Sequence, residues 1–132
     1  MQSGDRPTDG LKVFVVEDEA LVALNLEDML HELGCTVIGP AMRLERANRM
    51  VDQGLAADAA ILDVNIAGEM VHGLARRLAE QGLPIVFATG YGLAGLASEF
   101  QDYPVLQKPY TSEEVAHGLA RAIKSRRQLD LA

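Results

Sequence analysis

The chain has little of three features that would place it among secreted, membrane or nucleic-acid-binding proteins. Cys35 is its only cysteine, which excludes an intrachain disulfide framework and a metal site built from several cysteines. No apolar stretch approaches the roughly 18 residues of a membrane span, and the amino terminus lacks a signal-peptide pattern. Basic residues number 12 against 19 acids, and the net charge of −7 disfavours direct binding to a phosphate backbone. These absences predict a cytoplasmic domain that contacts neither nucleic acid nor membrane.

The length and composition indicate one folded domain with polar ends. A chain of 132 residues, 48% of them hydrophobic, is long enough to bury a substantial core. Residues 1–10 are mostly polar or glycine and are predicted to form a disordered tail. The folded domain is predicted to span residues 11–126, and residues 127–132 form a C-terminal tail after which we expect no output domain.

Strand-like and helix-like segments alternate along the predicted domain. Short apolar runs, typical of buried parallel strands, occupy residues 11–16, 35–39, 58–64, 83–88 and 103–107. A helical pattern follows each run; the third helix is predicted from about Glu69, and the fifth opens with a capping box of Thr111 and Glu114. The fourth helix is expected to be short, because residues 89–95 include three glycines. The alternation predicts an α/β fold, a flavodoxin-like doubly wound five-stranded parallel sheet of order 2-1-3-4-5 with five helices.

Polar side chains lie at the ends of four of the predicted strands. Glu17 and Asp18 follow the first strand, Asp63 closes the third, Thr89 follows the fourth and Lys108 follows the fifth. Because the carboxyl ends of parallel strands share one edge, where ligands bind at a topological switch point, we expect these side chains to converge. Carboxylates, a hydroxyl and an ammonium in one pocket suit phosphoryl transfer to an aspartate with the help of a divalent cation.

The chemistry of this set favours a magnesium-dependent phosphoacceptor. Two carboxylates about 4 Å apart repel by on the order of 4 kcal/mol at an effective dielectric of 20, so we expect a proton or a cation to neutralise them. Mg2+ is the natural candidate, since it binds one or two carboxylates and keeps water and phosphate oxygens as further ligands. Asp63 is the candidate nucleophile, and its product would be an acyl phosphate. Lys108 suits a phosphate or carboxylate oxygen, and a cis bond to Pro109 in a tight turn would fix its approach.

Each residue also has a purely structural interpretation when taken singly. Glu17 and Asp18 could begin a helix, because acids favour the first turn. Asp63 could form a turn and Thr89 could cap a strand, and an isolated lysine after a strand is usually solvated. The combination favours phosphoryl transfer, a reaction that needs little beyond positioning and charge neutralisation. No P-loop pattern is present, so we expect the donor to be a phosphorylated partner or a small phosphodonor.

These motifs resemble those of the receiver domains of two-component response regulators, over about Leu11 to Arg126. The resemblance implies the following site: Asp63 as phosphoacceptor, Glu17, Asp18 and the backbone carbonyl of Asn65 as magnesium ligands, and Thr89 and Lys108 as phosphate-binding switch residues. Residues 87–91 are similar to the FAT-GUY subgroup of single-domain receivers, which is linked to histidine-kinase networks of the bacterial general stress response. Two positions depart from these patterns: Val105 replaces the usual aromatic switch residue, for which Tyr91 is the candidate substitute, and Ile85 replaces a phenylalanine.

The resemblance implies a single-domain response regulator rather than an enzyme, although it would assist its own phosphorylation and dephosphorylation. Its expected partners are a histidine kinase or phosphotransfer protein and a downstream protein. The expected partner face comprises the fourth helix, fifth strand and fifth helix, with Leu93, Leu96, Val105 and Tyr110 as candidates. One alternative is a phosphate sink or kinase-docking module without a conformational output, which Val105 favours. A phosphatase of the haloacid-dehalogenase type is a further alternative, but such enzymes usually have an aspartate where this chain has Asn65.

Overall fold

The computed structural model describes residues 8–131. In chain order these residues form β1 (Lys12–Val16), α1 (Ala20–Glu32), β2 (Thr36–Ala41), α2 (Leu44–Asp52), β3 (Ala59–Asp63), β4 (Asn65–Ile66), β5 (Glu69–Met70), α3 (His72–Glu80), β6 (Ile85–Thr89), 3₁₀ turns at Gly92–Gly95 and Ser98–Phe100, β7 (Val105–Gln107) and α4 (Ser112–Leu131). None of the helices among them is long and apolar enough to cross a membrane.

Five of the strands form one parallel sheet in the order β2-β1-β3-β6-β7. If the two-residue strands β4 and β5 are set aside, this is the flavodoxin-like order predicted from the sequence, which is therefore confirmed. All five residues of β3 are buried, as expected for a central strand covered on both faces. The register pairs Val16 with Leu62 and Asp63 with Ala88, so β1, β3 and β6 end side by side. The sheet therefore brings the polar strand ends to one edge.

The helices cover the two faces of the sheet and create two hydrophobic clusters. One cluster joins alternate strand residues, such as Phe14 and Leu62, to the apolar residues of α2 and α3. The other joins the intervening residues, such as Val15 and Ile61, to α1 and α4. This alternation follows from the two-residue period of a strand. The core therefore holds the carboxyl edge of the sheet from both sides.

The prediction of a fourth helix after Thr89 is wrong, and the described residues form four α-helices rather than five. Two short 3₁₀ turns, Gly92–Gly95 and Ser98–Phe100, occupy that segment. Gly92 has a φ of 68°, which lies in the left-handed region and interrupts a right-handed helix. The glycines of this loop therefore abolish the helix instead of only shortening it.

Three predicted boundaries also differ from the structure. Thr8, in the predicted N-terminal tail, is 3% exposed, and its hydroxyl donates to the carbonyl oxygen of Leu33 at 2.8 Å. Residues 8–10 thus pack against the end of α1, whereas residues 1–7 lie outside the described part. At the other end, α4 continues to Leu131, so residues 127–131 are helical where a tail was predicted, and residue 132 is not described. Helix α3 begins at His72 rather than near Glu69, because Glu69 pairs with Ile66 in the β4–β5 hairpin.

Candidate functional site

Lys108 lies between two carboxylates at the carboxyl edge of the sheet. Its Nζ is 2.7 Å from Glu17 Oε1 and 2.7 Å from Asp63 Oδ2. The side chains are largely shielded from water, with exposed fractions of 16% for Lys108, 3% for Glu17 and 10% for Asp63. Residues from the ends of β1, β3 and β7, up to 91 positions apart in the chain, therefore meet in one partly buried ion cluster.

Four acidic side chains surround this point. Oxygen atoms of Glu17, Asp18, Glu19 and Asp63 all lie within 4.8 Å of one another. Glu19 was not among the predicted site residues, yet its Oε1 lies 3.9 Å from Lys108 Nζ. The indication that was missed is the run of three consecutive acids after the first strand. The cluster is thus richer in carboxylates than predicted.

Backbone N–H groups hold one oxygen of three of these carboxylates. Glu17 Oε2 accepts from the N–H of Glu19 at 3.0 Å, and Asp63 Oδ1 accepts from the N–H of Asn65 at 3.0 Å. Asp18 Oδ2 accepts from the N–H of Ala67 at 2.9 Å. Since a carboxylate has several acceptor positions, each side chain keeps capacity for a further ligand.

The β4–β5 hairpin, which the sequence analysis did not predict, positions two of these contacts. Ala67 and Gly68 form its two-residue turn, with φ values of 51° and 87° as a type I′ turn requires. The side-chain oxygen of Asn65 accepts from the N–H of Gly68 at 2.9 Å and ties the strand to the turn. The hairpin therefore fixes the backbone of Asn65 beside Asp63 and the N–H of Ala67 beside Asp18.

The ion cluster changes the proton affinities of its members. Burial is the main cause that raises the pKa of Glu17 to about 7, and the charge of Asp63 adds to it, while the hydrogen bond from Lys108 opposes it. Burial alone would lower the pKa of Lys108, but its hydrogen bonds to Asp63 and Glu17 outweigh this effect and raise it. Lys108 is thus firmly cationic, and the acids carry more negative charge than one ammonium neutralises.

Thr89 lies beside this cluster at the end of β6. It is 5% exposed, and its hydroxyl oxygen accepts a hydrogen bond from the N–H of Tyr91 at 3.0 Å. The backbone carbonyl of Thr89 accepts from the N–H of Lys108 at 2.9 Å, which aligns the two strand ends. The Lys108–Pro109 peptide bond is cis, as the sequence indicated. The Tyr91 side chain is 86% exposed, so in this conformation it faces solvent.

The predicted partner face requires a correction. Leu93 is 49% exposed and Val105 is half-buried, so both are accessible as expected. Leu96 and Tyr110 are only 5% and 8% exposed, because Leu96 packs into the core on the α2–α3 side and Tyr110 into the core on the α1–α4 side. Burial, with the charge of Glu17, raises the Tyr110 pKa to about 12. Leu96 and Tyr110 are therefore core residues in this conformation.

The donor set fits a hard divalent cation. Carboxylate oxygens are the ligands that Mg2+ prefers, and Mg2+ commonly takes one or two of them together with water. The four clustered acids supply more such oxygens than one ion needs. Burial and, to a lesser extent, the charge of Asp63 raise the pKa of Glu17, and a bound cation would favour its ionised form.

No protein-family model matches the chain, and no curated protein matches it. Among solved structures, a response regulator receiver domain protein from Clostridium thermocellum has the same fold, with a TM-score of 0.74 and 19% identity over 90% of this chain and 98% of that one. The solution structure of SdrG from Sphingomonas melonis Fr1 is more similar in sequence, with 40% identity and a TM-score of 0.78 over 93% of this chain and 99% of that one. The chain belongs to the response regulator receiver domains.

SdrG has also been solved in a second state. The BeF3-activated conformation of SdrG from Pseudomonas melonis Fr1 is 39% identical, with a TM-score of 0.72 over 90% of this chain and 98% of that one. Both SdrG structures match this chain over nearly their whole length.

Proposed function

We propose that this domain accepts a phosphoryl group on Asp63 and thereby changes the surface that it presents to a protein partner. The donor is a histidine kinase or a phosphotransfer protein, and the proposed setting is a cytoplasmic phosphorelay linked to a stress response. The observation that carries this proposal is the position of Lys108 Nζ, 2.7 Å from the carboxylates of both Asp63 and Glu17. Membership of the receiver family supports it.

Asp63 is suited to the role of acceptor. One of its oxygens accepts from the N–H of Asn65 and the other from Lys108, so its carboxylate is oriented before any donor arrives. In the proposed step a carboxylate oxygen attacks the phosphorus of a phosphohistidine and the P–N bond breaks. The bonding electrons remain on the imidazole nitrogen, and Asp63 becomes an acyl phosphate.

Glu17, Asp18 and the backbone carbonyl of Asn65 would hold Mg2+, with Glu19 as an additional acid nearby. The ion supplies charge neutralisation for the incoming phosphoryl oxygens. Lys108 can redirect one N–H hydrogen bond from a carboxylate to a phosphoryl oxygen, since an ammonium has three donors. The Thr89 hydroxyl oxygen already accepts from Tyr91, which leaves its O–H as a donor for the same group.

The change would be passed to the loop that follows Thr89. A phosphoryl group adds about −1.5 to −2 charges and strong acceptors, and attraction of Thr89 towards it would move the backbone of Tyr91. Tyr91 and Leu93 are exposed and Val105 is half-buried, so these three residues are the proposed centre of the partner face.

Phosphorylation with acetyl phosphate and Mg2+ tests the proposal. Intact-mass spectrometry should find one added phosphoryl group on the wild type and none on Asp63→Asn. The matched control is Asp28→Asn, which makes the same change at an exposed aspartate on α1 and should leave labelling unchanged. Equal labelling of Asp63→Asn and wild type would exclude Asp63 as the acceptor. Undiminished labelling in EDTA would remove Mg2+ from the proposal.

A phosphate sink or passive docking module is the second candidate function. Two observations favour it: Val105 stands in place of an aromatic switch residue, and the side chain of Tyr91, the candidate substitute, faces solvent in this conformation. The affinity of a candidate kinase or partner, measured with and without beryllium fluoride, separates the two functions. An affinity that does not change supports the sink. We also propose that the domain is not an enzyme, and we expect no turnover of p-nitrophenyl phosphate.

A further inference from the structure

His72, the first residue of α3, connects that helix to the segment between Thr89 and β7. Its Nε2 accepts a hydrogen bond from the backbone N–H of Ala97 at 3.0 Å. Its ring also stacks on Phe100, with centroids 6.0 Å apart and an interplanar angle of 12°. One side chain thus contacts both the linker between the two 3₁₀ turns and the end of the second turn.

The segment is held unequally at its two ends. Phe100 is 3% exposed, and its ring centroid lies 5.2 Å from that of Phe87 and 5.2 Å from that of Tyr103, so the second turn is anchored in the core. The preceding residues 92–95 form a glycine-rich 3₁₀ turn, with Leu93 exposed. The bond between Ala97 and His72 lies between these two turns, next to Leu96, which is also buried.

The Ala97 bond requires a neutral imidazole. An N–H can donate to Nε2 only while that nitrogen carries a lone pair, which places the single ring proton on Nδ1. Protonation would put a hydrogen on Nε2, so that two donors faced each other and the N–H of Ala97 lost its acceptor. The net contribution of one hydrogen bond is small, so the expected effect of its loss is confined to Ala97 and its neighbours.

We propose that His72 is a pH-sensitive latch: in its neutral form it holds the backbone of Ala97 against α3, and in its protonated form it releases that backbone. The latch acts on the same loop as the proposed phosphorylation but does not depend on it. Acid would therefore loosen the linker at Ala97, in the same loop as Leu93, without any change at Asp63.

Two charged side chains among the described residues act on the imidazole, Arg76 on α3 and Glu99 on the second 3₁₀ turn. They also pair with each other, since Arg76 Nε donates to Glu99 Oε1 at 2.6 Å. Burial lowers the pKa of His72 below its ordinary value of 6.5, Arg76 lowers it further, and Glu99 opposes this. The position of His72 at the positive end of α3 also disfavours a cation.

The direction of the pH effect follows from this lowered pKa. The released state, in which the ring is solvated, binds a proton more readily than the latched state does. The latch is therefore fully formed above pH 6.5 and weakens as the pH falls from 6.5 through the lowered pKa of His72.

NMR titration of the unphosphorylated chain between about pH 8 and pH 5 tests the proposal, in the range where histidines change charge. We expect the His72 ring to titrate with a midpoint below 6.5 and the Ala97 amide signal to shift with the same midpoint. A midpoint at or above 6.5, or an Ala97 amide that does not follow His72, overturns the proposal. The chain is not phosphorylated in this measurement, so its outcome is independent of whether Asp63 is a phosphoacceptor.

Variants separate the latch from a general loss of packing. His72→Phe keeps a ring against Phe100 but removes the acceptor, so exchange of the Ala97 amide at neutral pH should be about fivefold faster, the factor of a typical net hydrogen bond. Arg76→Gln should raise the midpoint of the coupled titration, and this second variant decides the matter if His72→Phe does not fold. His117→Gln, at an exposed histidine on α4, should leave the Ala97 titration unchanged. Unchanged exchange in a folded His72→Phe, or an unchanged midpoint in Arg76→Gln, contradicts the latch.

Discussion

Replacement of Lys108 by methionine removes the only ammonium that contacts both Asp63 and Glu17 among residues 8–131. Methionine has a similar length and fills similar space, so the change mainly deletes a charge. The two carboxylates then face each other without a counterion. We expect a large loss of stability in the absence of metal.

The magnitude follows from the geometry of the cluster. Its acidic oxygens lie within 4.8 Å of one another, and at that separation an effective dielectric of 20 gives a repulsion of about 3–4 kcal/mol between two charges. Exposed fractions of 3% for Glu17 and 10% for Asp63 leave little screening by water. Loss of one partner from a buried ion pair generally costs roughly 3–5 kcal/mol. We therefore expect Lys108→Met to lower the free energy of unfolding by about 3–4 kcal/mol.

Urea unfolding in EDTA, above the Glu17 pKa of about 7, measures this loss. Lys124→Met is the matched control, because it makes the same change at an exposed position on α4 and should alter stability by no more than about 0.5 kcal/mol. Mg2+ at about 100 times its dissociation constant should restore about 2.7 kcal/mol to Lys108→Met. Equal unfolding free energies for the two variants would refute the reasoning, since Lys108 would then not be neutralising a buried cluster.

Three further predictions concern the stability of the scaffold and the accessibility of its thiol. Thr111→Ala removes the hydroxyl that accepts from the N–H of Glu114 at 3.1 Å, and should lower the urea-unfolding free energy by about 1 kcal/mol; no change would mean that this cap is not formed in solution. Phe100→Ala should cost about 3–5 kcal/mol, whereas Leu93→Ala, at a residue 49% exposed, should cost no more than about 0.5 kcal/mol; similar values would place Phe100 outside the core. Burial raises the Cys35 pKa to about 11, so iodoacetamide at neutral pH should modify Cys35 in urea but not in the native protein, and rapid native modification would contradict its burial.

The sheet was predictable because its information is local. A continuous apolar run such as Ala59 to Leu62 is typical of a strand covered on both faces, and the handedness of crossovers limits how such strands and the helices between them can connect. The capping box of Thr111 and Glu114 was equally predictable, since its two hydrogen bonds join residues three positions apart. The loop after Thr89 was the exception. Its sequence continues a helical pattern, but its glycines disfavour an α-helix and the segment forms a 3₁₀ turn instead.

Tertiary contacts decided what lies around the predicted acceptor. The role of Glu19 depends on Lys108, which arrives from a strand near the other end of the chain. Leu96 and Tyr110 are buried because other elements pack over them. Their apolar character alone is equally consistent with an exposed partner face. The contact between His72 and Ala97 joins residues 25 positions apart, and neither residue belongs to a recognisable motif.

The sequence by itself determined that strand ends with acids, a hydroxyl and a lysine would share one edge of a parallel sheet, because strand period and crossover handedness leave few other arrangements. Only the tertiary structure decided how charge is divided at that edge, with Lys108 held between Glu17 and Asp63 and a hairpin N–H on Asp18. The physical reason is that the two properties depend on interactions of different range along the chain. Backbone pattern depends on neighbours along the chain, whereas the balance of buried charge depends on atoms that only the folded chain brings within about 5 Å of one another.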